Sequence, residues 1–159
     1  MSNKWRYFYI GYIWSILNTA LNLLVAVILY RAHSWEWREG VLTCIGGTKN
    51  GRSRILGQPG GQGFGGCLVV YKNEHNRSRA DLRVHENCHV TQGLVLGPLF
   101  LLLYPLCFSL SWAWRRGTWH DAYMRIPFEQ HAYDTQAAYL FTVQTKNATW
   151  AESRWGHGV

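Results

Sequence analysis

Two long uncharged stretches dominate the hydrophobic pattern of the chain. The first, residues 7–30, reads YFYIGYIWSILNTALNLLVAVILY and is long enough to cross a bilayer as one helix. Four of its polar residues recur at helical spacing and share one face: Ser15, Asn18, Thr19 and Asn22. We therefore predict an N-terminal transmembrane anchor over residues 1–32. Its polar face is expected to pack either on a second copy of the chain or on the chain's own second apolar stretch.

The second apolar stretch, residues 93–114, reads GLVLGPLFLLLYPLCFSLSWAW and also lacks charge. Pro98 and Pro105 interrupt it, and proline kinks or breaks a helix interior. The stretch is therefore a full span, a re-entrant hairpin or two short buried helices.

The segment between the two apolar stretches has a different character. VLTCIG (41–46) and CLVVY (67–71) are short runs typical of β-strands, and the glycine-rich residues 57–66 between them predict a flexible loop. Together with the helical patterns, these runs predict an α+β fold that is mostly helical with a small β-sheet. We place this domain over residues 33–159, after the transmembrane helix.

The composition favours a membrane over nucleic acid as the partner. Charged residues make up 16% of the chain, against about 25% in a typical soluble domain. The net charge is +7, but the basic residues are scattered rather than gathered in a stripe, so no nucleic acid is expected. Nine Trp and nine Tyr suit a membrane interface, and membrane lipid is the expected partner. Only Lys4 and Arg6 of the 16 basic residues precede the anchor, which favours a cytoplasmic location for the domain.

The chemistry of the chain centres on RVHENCHVTQG, residues 83–93, which contains an H-E-x-x-H pattern. Upstream, Ser78 and Asp81 have the spacing of a capping box, which predicts a helix start. On such a helix His85 and His89 lie one turn apart on the same face, so both imidazoles can bind one Zn²⁺. Glu86 is then placed to take a proton from water that the metal activates.

A catalytic zinc site usually has a third protein ligand, and the best candidates lie in IPFEQHAY, residues 126–133. Pro127 suits the first turn of a helix. Glu129 and His131 are two residues apart and point to different faces, so we expect only one of them to bind.

The pair HENCHVTQ and IPFEQHAY resembles the motifs of small zincin metallopeptidases of the gluzincin kind. Those proteins carry H-E-x-x-H-x-x-Q on one helix and P-F-E-x-x-A-Y on a later one. The resemblance covers about residues 67–145 and implies a zincin-like helical core with Glu129 as the third zinc ligand. Gln92 matches the glutamine that follows the second histidine.

The ligand assignment constrains the second apolar stretch. If residues 93–114 crossed the bilayer, Glu129 and His85 would be separated by about 30 Å of hydrocarbon. We therefore predict that the stretch returns to the side from which it started, as an apolar hairpin. The alternative is a protein that crosses the bilayer twice, in which His75 is the third zinc ligand or the zinc has no third protein ligand.

The function predicted from these motifs is a membrane-anchored zinc-dependent metallopeptidase that hydrolyses peptide bonds through a zinc-bound water. Its partners would be a polypeptide substrate, membrane lipid and a second copy of the chain through the anchor helix. Strand 67–71 is expected to offer its edge to an extended substrate. Four residues are candidates for stabilising the oxyanion or contacting substrate: Tyr133, His131, His120 and Tyr123.

The alternative is a non-catalytic membrane or assembly protein in which the metal is structural or vestigial. A structural zinc normally has four protein ligands, so coordination by His131 in addition to the other three would favour this alternative. Cys44 and Cys67 are either bridged or free.

Overall fold

The structure, a computed structural model, describes residues 10–11, 13–28, 30–38, 40–46, 61–64, 68–71, 77, 79–115 and 118–155. The described elements, in chain order, are α1 (Ile16–Ile28), β1 (Ser34–Arg38), β2 (Val41–Ile45), β3 (Gly61–Phe64), β4 (Leu68–Tyr71), α2 (Ala80–Leu96), α3 (Leu99–Arg115), α4 (Trp119–Met124) and α5 (Pro127–Trp155). The prediction of a mostly helical α+β fold with a small sheet is confirmed. Ser78, His75 and Cys67 lie outside the described residues.

The four strands form one mixed sheet in the order β1-β2-β4-β3. β2 and β4 are parallel, and both outer pairings are antiparallel. Alternate residues of β2 and β4 point to opposite faces of the sheet. Apolar clusters cover both of these faces. One apolar cluster joins the sheet to α1 and the turn after it, through Ala26, Tyr30, Cys44 and Val70. The other joins it to α2, through Val41, Val69, Tyr71 and Val90.

The sheet confirms two predicted strands and corrects two other expectations. Within the two predicted runs, Val41–Ile45 forms β2 and Leu68–Tyr71 forms β4. The glycine-rich segment is not only a loop, because Gly61–Phe64 forms β3. β4 is paired on both sides, so the expectation that residues 67–71 offer a free edge is wrong. The edges of the sheet are β1 and β3.

The helix that carries the H-E-x-x-H pattern is present, but its start differs from the expected capping box. Its N-cap is Arg79, which makes no side-chain capping hydrogen bond. Asp81 instead pairs with Arg79 at 2.7 Å and accepts a hydrogen bond from Gln136 of α5 at 3.0 Å. The first turn of α2 is therefore tied to α5.

The second apolar stretch bends sharply, because α2 and α3 meet at an angle of 118°. The break lies at Gly97, whose φ of 55° is unfavourable for residues with a side chain, and at Pro98. Pro105, in contrast, lies inside the continuous helix α3. Among the described residues no single helix is long and apolar enough to cross a membrane, and α2 with α3 meets that requirement only as a bent pair.

The polar face predicted for the N-terminal segment packs on the chain's own second apolar stretch. Asn18 donates a hydrogen bond to the carbonyl of Gly97 at 2.6 Å. A Cβ atom at Gly97 would collide with the indole of Trp14, so a glycine is also required there for close packing. α1 therefore covers the break between α2 and α3.

Candidate metal centre

Three buried side chains from two helices bring their ligand atoms together. His85 and His89 lie one turn apart on α2, and their Nε2 atoms are 3.2 Å apart. Glu129, in the first turn of α5, places Oε2 3.3 Å from Nε2 of His85 and Oε1 3.2 Å from Nε2 of His89. These are the three ligands predicted from the sequence, and they form a group that can hold a metal ion.

The orientation of the His89 ring follows from its contact with Gln92. The amide nitrogen of Gln92 donates to the carbonyl of Phe128 at 3.0 Å, so the amide oxygen faces Nδ1 of His89, 2.9 Å away. An amide oxygen only accepts, and Nδ1 must therefore carry the proton. Nε2 is then the ring nitrogen that faces Glu129 and the imidazole of His85, and in the neutral ring it is the atom with a lone pair for a metal.

The electrostatics of the group favour a cation between these atoms. Burial pushes the pKa of Glu129 upward, but its contacts with the imidazoles of His85 and His89 outweigh burial and hold this pKa well below its usual range. Burial likewise lowers the pKa of His89, but its hydrogen bond with Glu129 and the charge of that carboxylate raise it above its usual value. The lowered pKa of Glu129 and the raised pKa of His89 both mean that positive charge is stabilised where the three ligand atoms meet.

The spacing of the ligand atoms fits a zinc-sized ion. In a tetrahedral site with bonds of about 2.0–2.1 Å, neighbouring ligand atoms lie about 3.3–3.4 Å apart. The separations found here, 3.2 and 3.3 Å, are close to that value. The Oε2 atom of Glu129 is buried and has no hydrogen-bond partner among the described residues, apart from its ionic contact with His85. The residues therefore fit a bound metal.

Glu86 lies in the same buried group of charges and is held by the edge strand β3. The backbone N–H of Gly63 donates to Oε2 of Glu86. Burial raises the pKa of Glu86, and the neighbouring charges of His89 and His85 only partly oppose it. A Cβ atom at Gly63 would lie 2.5 Å from the carbonyl oxygen of Glu86 and 3.0 Å from its carboxylate, so only glycine allows this close approach.

Three tyrosines surround Glu129, and two of them were predicted. Tyr104 of α3 donates to Oε1 of Glu129 at 2.5 Å. Burial, then the charge of Glu129 and a hydrogen bond with it, raise the pKa of Tyr123. Tyr133 packs edge-on against His85 with ring centroids 4.5 Å apart, and burial followed by the Glu129 charge raises its pKa. Tyr123 and Tyr133 are also joined by a hydrogen bond.

The two predicted histidines do not join this group. Nδ1 of His131 lies 3.4 Å from the sulfur of Cys88 and 3.2 Å from the amide nitrogen of Gln92. The two-residue offset from Glu129 turns this ring to another face of α5, as expected on a helix. His120 is exposed on the short helix α4.

Sequence reasoning missed Tyr104 and Gly63. Tyr104 lies inside the second apolar stretch, where an aromatic residue gives no signal of a polar contact. Gly63 lies inside a glycine-rich segment in which nothing distinguishes one glycine from the next. Both become recognisable only when α3 and β3 are placed beside the metal ligands.

No family model, curated protein or solved structure matches the chain. The assignment of the site therefore rests on its own residues and their geometry.

Proposed function

We propose that this protein is a membrane-anchored zinc peptidase that hydrolyses peptide bonds. The observation that carries the proposal is the convergence of three buried electron-rich atoms, from His85, His89 and Glu129, beside a second buried carboxylate, Glu86. Two histidines and a glutamate form a ligand set that is found in catalytic zinc sites of metallopeptidases. When bound, zinc supplies a Lewis acid that polarises a carbonyl group and makes water more acidic.

The number of ligands supports a catalytic site over a structural one. Structural zinc sites use four protein ligands, whereas catalytic sites use three. Within the described residues the group has three members. His131, the candidate for a fourth ligand in the non-catalytic alternative, faces Cys88 and Gln92 instead.

Glu86 is assigned as the general base. A carboxylate with an ordinary pKa is a weak base at neutral pH, and burial corrects this by raising the pKa of Glu86. The N–H of Gly63 holds one of its oxygens and thereby limits the rotation of the carboxylate. The other oxygen is then the one available to accept a proton from water.

Tyr133 is assigned to the developing oxyanion. Its ring lies against the ligand His85, and its side chain is partly exposed rather than fully buried. Tyr123, which bonds to both Tyr133 and Glu129, is assigned to position that hydroxyl. A phenol in this place donates a hydrogen bond to negative charge without adding a cation to the site.

The motif resemblance to gluzincins supports peptide bonds as the substrate, and the apolar N-terminal segment supports attachment to a membrane. The helix within that segment, Ile16–Ile28, contains no charged residue. In this proposal the helix anchors the chain in the bilayer, while the metal centre is formed by the helices that follow.

The test uses the full chain in detergent micelles, loaded with zinc and supplied with an unstructured polypeptide such as casein. Glu86→Gln should keep its zinc and lose turnover by about 100-fold to 10,000-fold, the usual contribution of a general base. Glu129→Ala should lose zinc. Glu36→Gln, at a partly exposed carboxylate paired with Arg77 at 3.2 Å, is the matched control and should change neither.

Two results would contradict the proposal. One is a zinc-loaded wild-type protein that produces no new peptide ends. The other is a Glu86→Gln variant that cleaves as fast as the wild type. Stoichiometric zinc without any cleavage would favour the non-catalytic membrane or assembly protein.

A further inference from the structure

The polarity of α1 is inverted relative to a helix on the surface of a water-soluble domain. Its buried residues are Asn18, Asn22 and Ala26, and Ser15 just before it is also buried. Its large apolar residues point outward and are 41–68% exposed: Ile16, Leu17, Leu21, Leu23, Leu24, Val27 and Ile28. In water, the exposure of these seven large apolar side chains on one short helix would be unfavourable.

α3 likewise turns large apolar side chains outward. Its exposed leucines fall on one stripe at helical spacing and are 50–67% exposed: Leu99, Leu102, Leu106 and Leu110. Its polar contacts are made on the inward side, where Ser111 donates to the carbonyl of Ala122 at 3.1 Å. The buried Phe100 also lies on that side and packs against Phe128.

The outward faces of both helices are apolar, and hydrocarbon is the medium that suits both. Asn18 of α1 is bonded to the carbonyl of Gly97, two residues before α3 begins. Neither outward face contains a charged residue before Arg115, at the end of α3. Trp112 and Trp114, 49% and 86% exposed, precede this arginine and extend the apolar surface to the end of α3. These features identify lipid acyl chains as the occupant of this surface.

The metal centre is attached to the inner side of the same surface. Tyr104 of α3 bonds to the ligand Glu129 at 2.5 Å, while Leu102 and Leu106 on either side of it in sequence are 67% and 52% exposed. One helix therefore separates the ligand from the apolar surface. Because a helix with its side chains is about 10–12 Å across, the site lies about that distance from lipid.

We infer that the substrate is the segment of a membrane protein that lies next to its transmembrane helix, within reach of the bilayer surface. This inference rests on the proposed peptidase function and adds the substrate class. A site about one helix diameter from the acyl chains encounters polypeptide segments that lie close to the bilayer far more often than it encounters polypeptides dissolved in bulk water. Confinement to the same membrane also raises the effective concentration of an anchored substrate.

The first experiment tests the lipid-facing surface independently of catalysis. A photoreactive diazirine amino acid replaces Leu102 or Leu106 in the full chain, which is reconstituted in phosphatidylcholine vesicles with radiolabelled acyl chains. Both positions should give lipid adducts, whereas the control position Gln144, exposed on α5, should give none. Adducts between two protein chains at both positions, or no lipid adduct at either, would overturn the assignment of this surface to lipid.

The second experiment tests the substrate class with three polypeptides that carry the same unstructured segment. In one the segment directly follows a transmembrane helix, in another 40 flexible residues separate the two, and the third has no transmembrane helix. A spacer of that length has a root-mean-square span of about 35 Å, far beyond the depth of the site. In vesicles, cleavage of the adjacent segment should exceed cleavage of the other two by on the order of tenfold or more.

The outcomes separate this inference from the proposed function. Equal cleavage of all three polypeptides, abolished by Glu86→Gln, would leave the peptidase function standing and overturn the substrate class. Cleavage of none by zinc-loaded protein would overturn the peptidase function and the substrate class with it. Faster cleavage of the distant segment would also overturn the substrate class.

Discussion

Removal of a single hydroxyl group, by Tyr104→Phe, tests whether the apolar helix α3 takes part in the metal centre. The hydroxyl donates to Oε1 of Glu129 at 2.5 Å, and Glu129 is only 2% exposed, so water has little access to replace the lost bond. Phenylalanine keeps the ring, and with it the stacking on Phe128 at a centroid distance of 6.0 Å. The variant therefore changes one hydrogen bond and little else.

The expected magnitude follows from the charge of the acceptor. A hydrogen bond to a charged group contributes about 1.5–3 kcal/mol, and about 1.4 kcal/mol corresponds to a tenfold change in affinity. Because the bond holds Glu129 in place for the metal, Tyr104→Phe should weaken zinc binding by about 10-fold to 100-fold. Losses of that size are typical when a group that orients a metal ligand is removed.

The assay is competition for zinc with a chelator of known affinity, in detergent micelles, with circular dichroism to verify the helical content. Tyr139→Phe, further along α5, is the matched control and should leave the zinc affinity unchanged. An unchanged affinity in Tyr104→Phe with native helical content would refute the idea that α3 orients the ligand. An equal loss in the control would show that the effect is not specific to this hydrogen bond.

Three further substitutions test other contacts of the site. Gln92→Ala removes the oxygen that orients the imidazole of His89, so zinc affinity in the same assay should fall about 10-fold to 100-fold. An unchanged affinity would contradict the ring orientation assigned to His89. Gly63→Ala places a methyl group 2.5 Å from a carbonyl oxygen of α2 and should lower the stability by about 1–3 kcal/mol in denaturant unfolding. The control Gly11→Ala meets its nearest atom at 3.4 Å and should be tolerated, so equal losses in the two variants would refute the close-packing argument. Asn18→Ala removes one of two donors to the carbonyl of Gly97, which also accepts from the backbone N–H of Phe100 at 3.0 Å, and should cost about 0.5–1.5 kcal/mol in detergent unfolding. No loss would mean that the side-chain bond adds nothing to the backbone one.

Much of the metal centre was predictable because its first part is local. His85 and His89 are four residues apart, and the geometry of any α-helix places such residues on one face. Pro127 likewise indicated where α5 begins, and it is the first residue of that helix. The uncharged stretches and the two short β-type runs were also visible without coordinates, because hydrophobic periodicity follows from the local shape of the backbone.

The resemblance of IPFEQHAY to the second gluzincin motif predicted Glu129 as the third metal ligand. The spacing of the residues alone did not distinguish Glu129 from His131. The structure places the carboxylate of Glu129 beside both imidazoles and turns His131 toward Cys88. This outcome depends on the 118° bend between α2 and α3, which brings the chain back to the first motif. A proline such as Pro98 indicates where the chain can break but does not fix the angle of the break.

The sequence by itself therefore determined which residues can bind a metal and which segments are apolar. Only the tertiary structure decided that Tyr104 and Gly63 hold the two carboxylates, and that the polar face of α1 is turned inward with leucines outside. The physical reason is that periodicity assigns residues to a helix face, whereas the partner of that face is set by contacts between segments far apart in the chain. For α1 this partner is the carbonyl of Gly97 at the break between α2 and α3, which accepts from Asn18 as well as from the backbone N–H of Phe100.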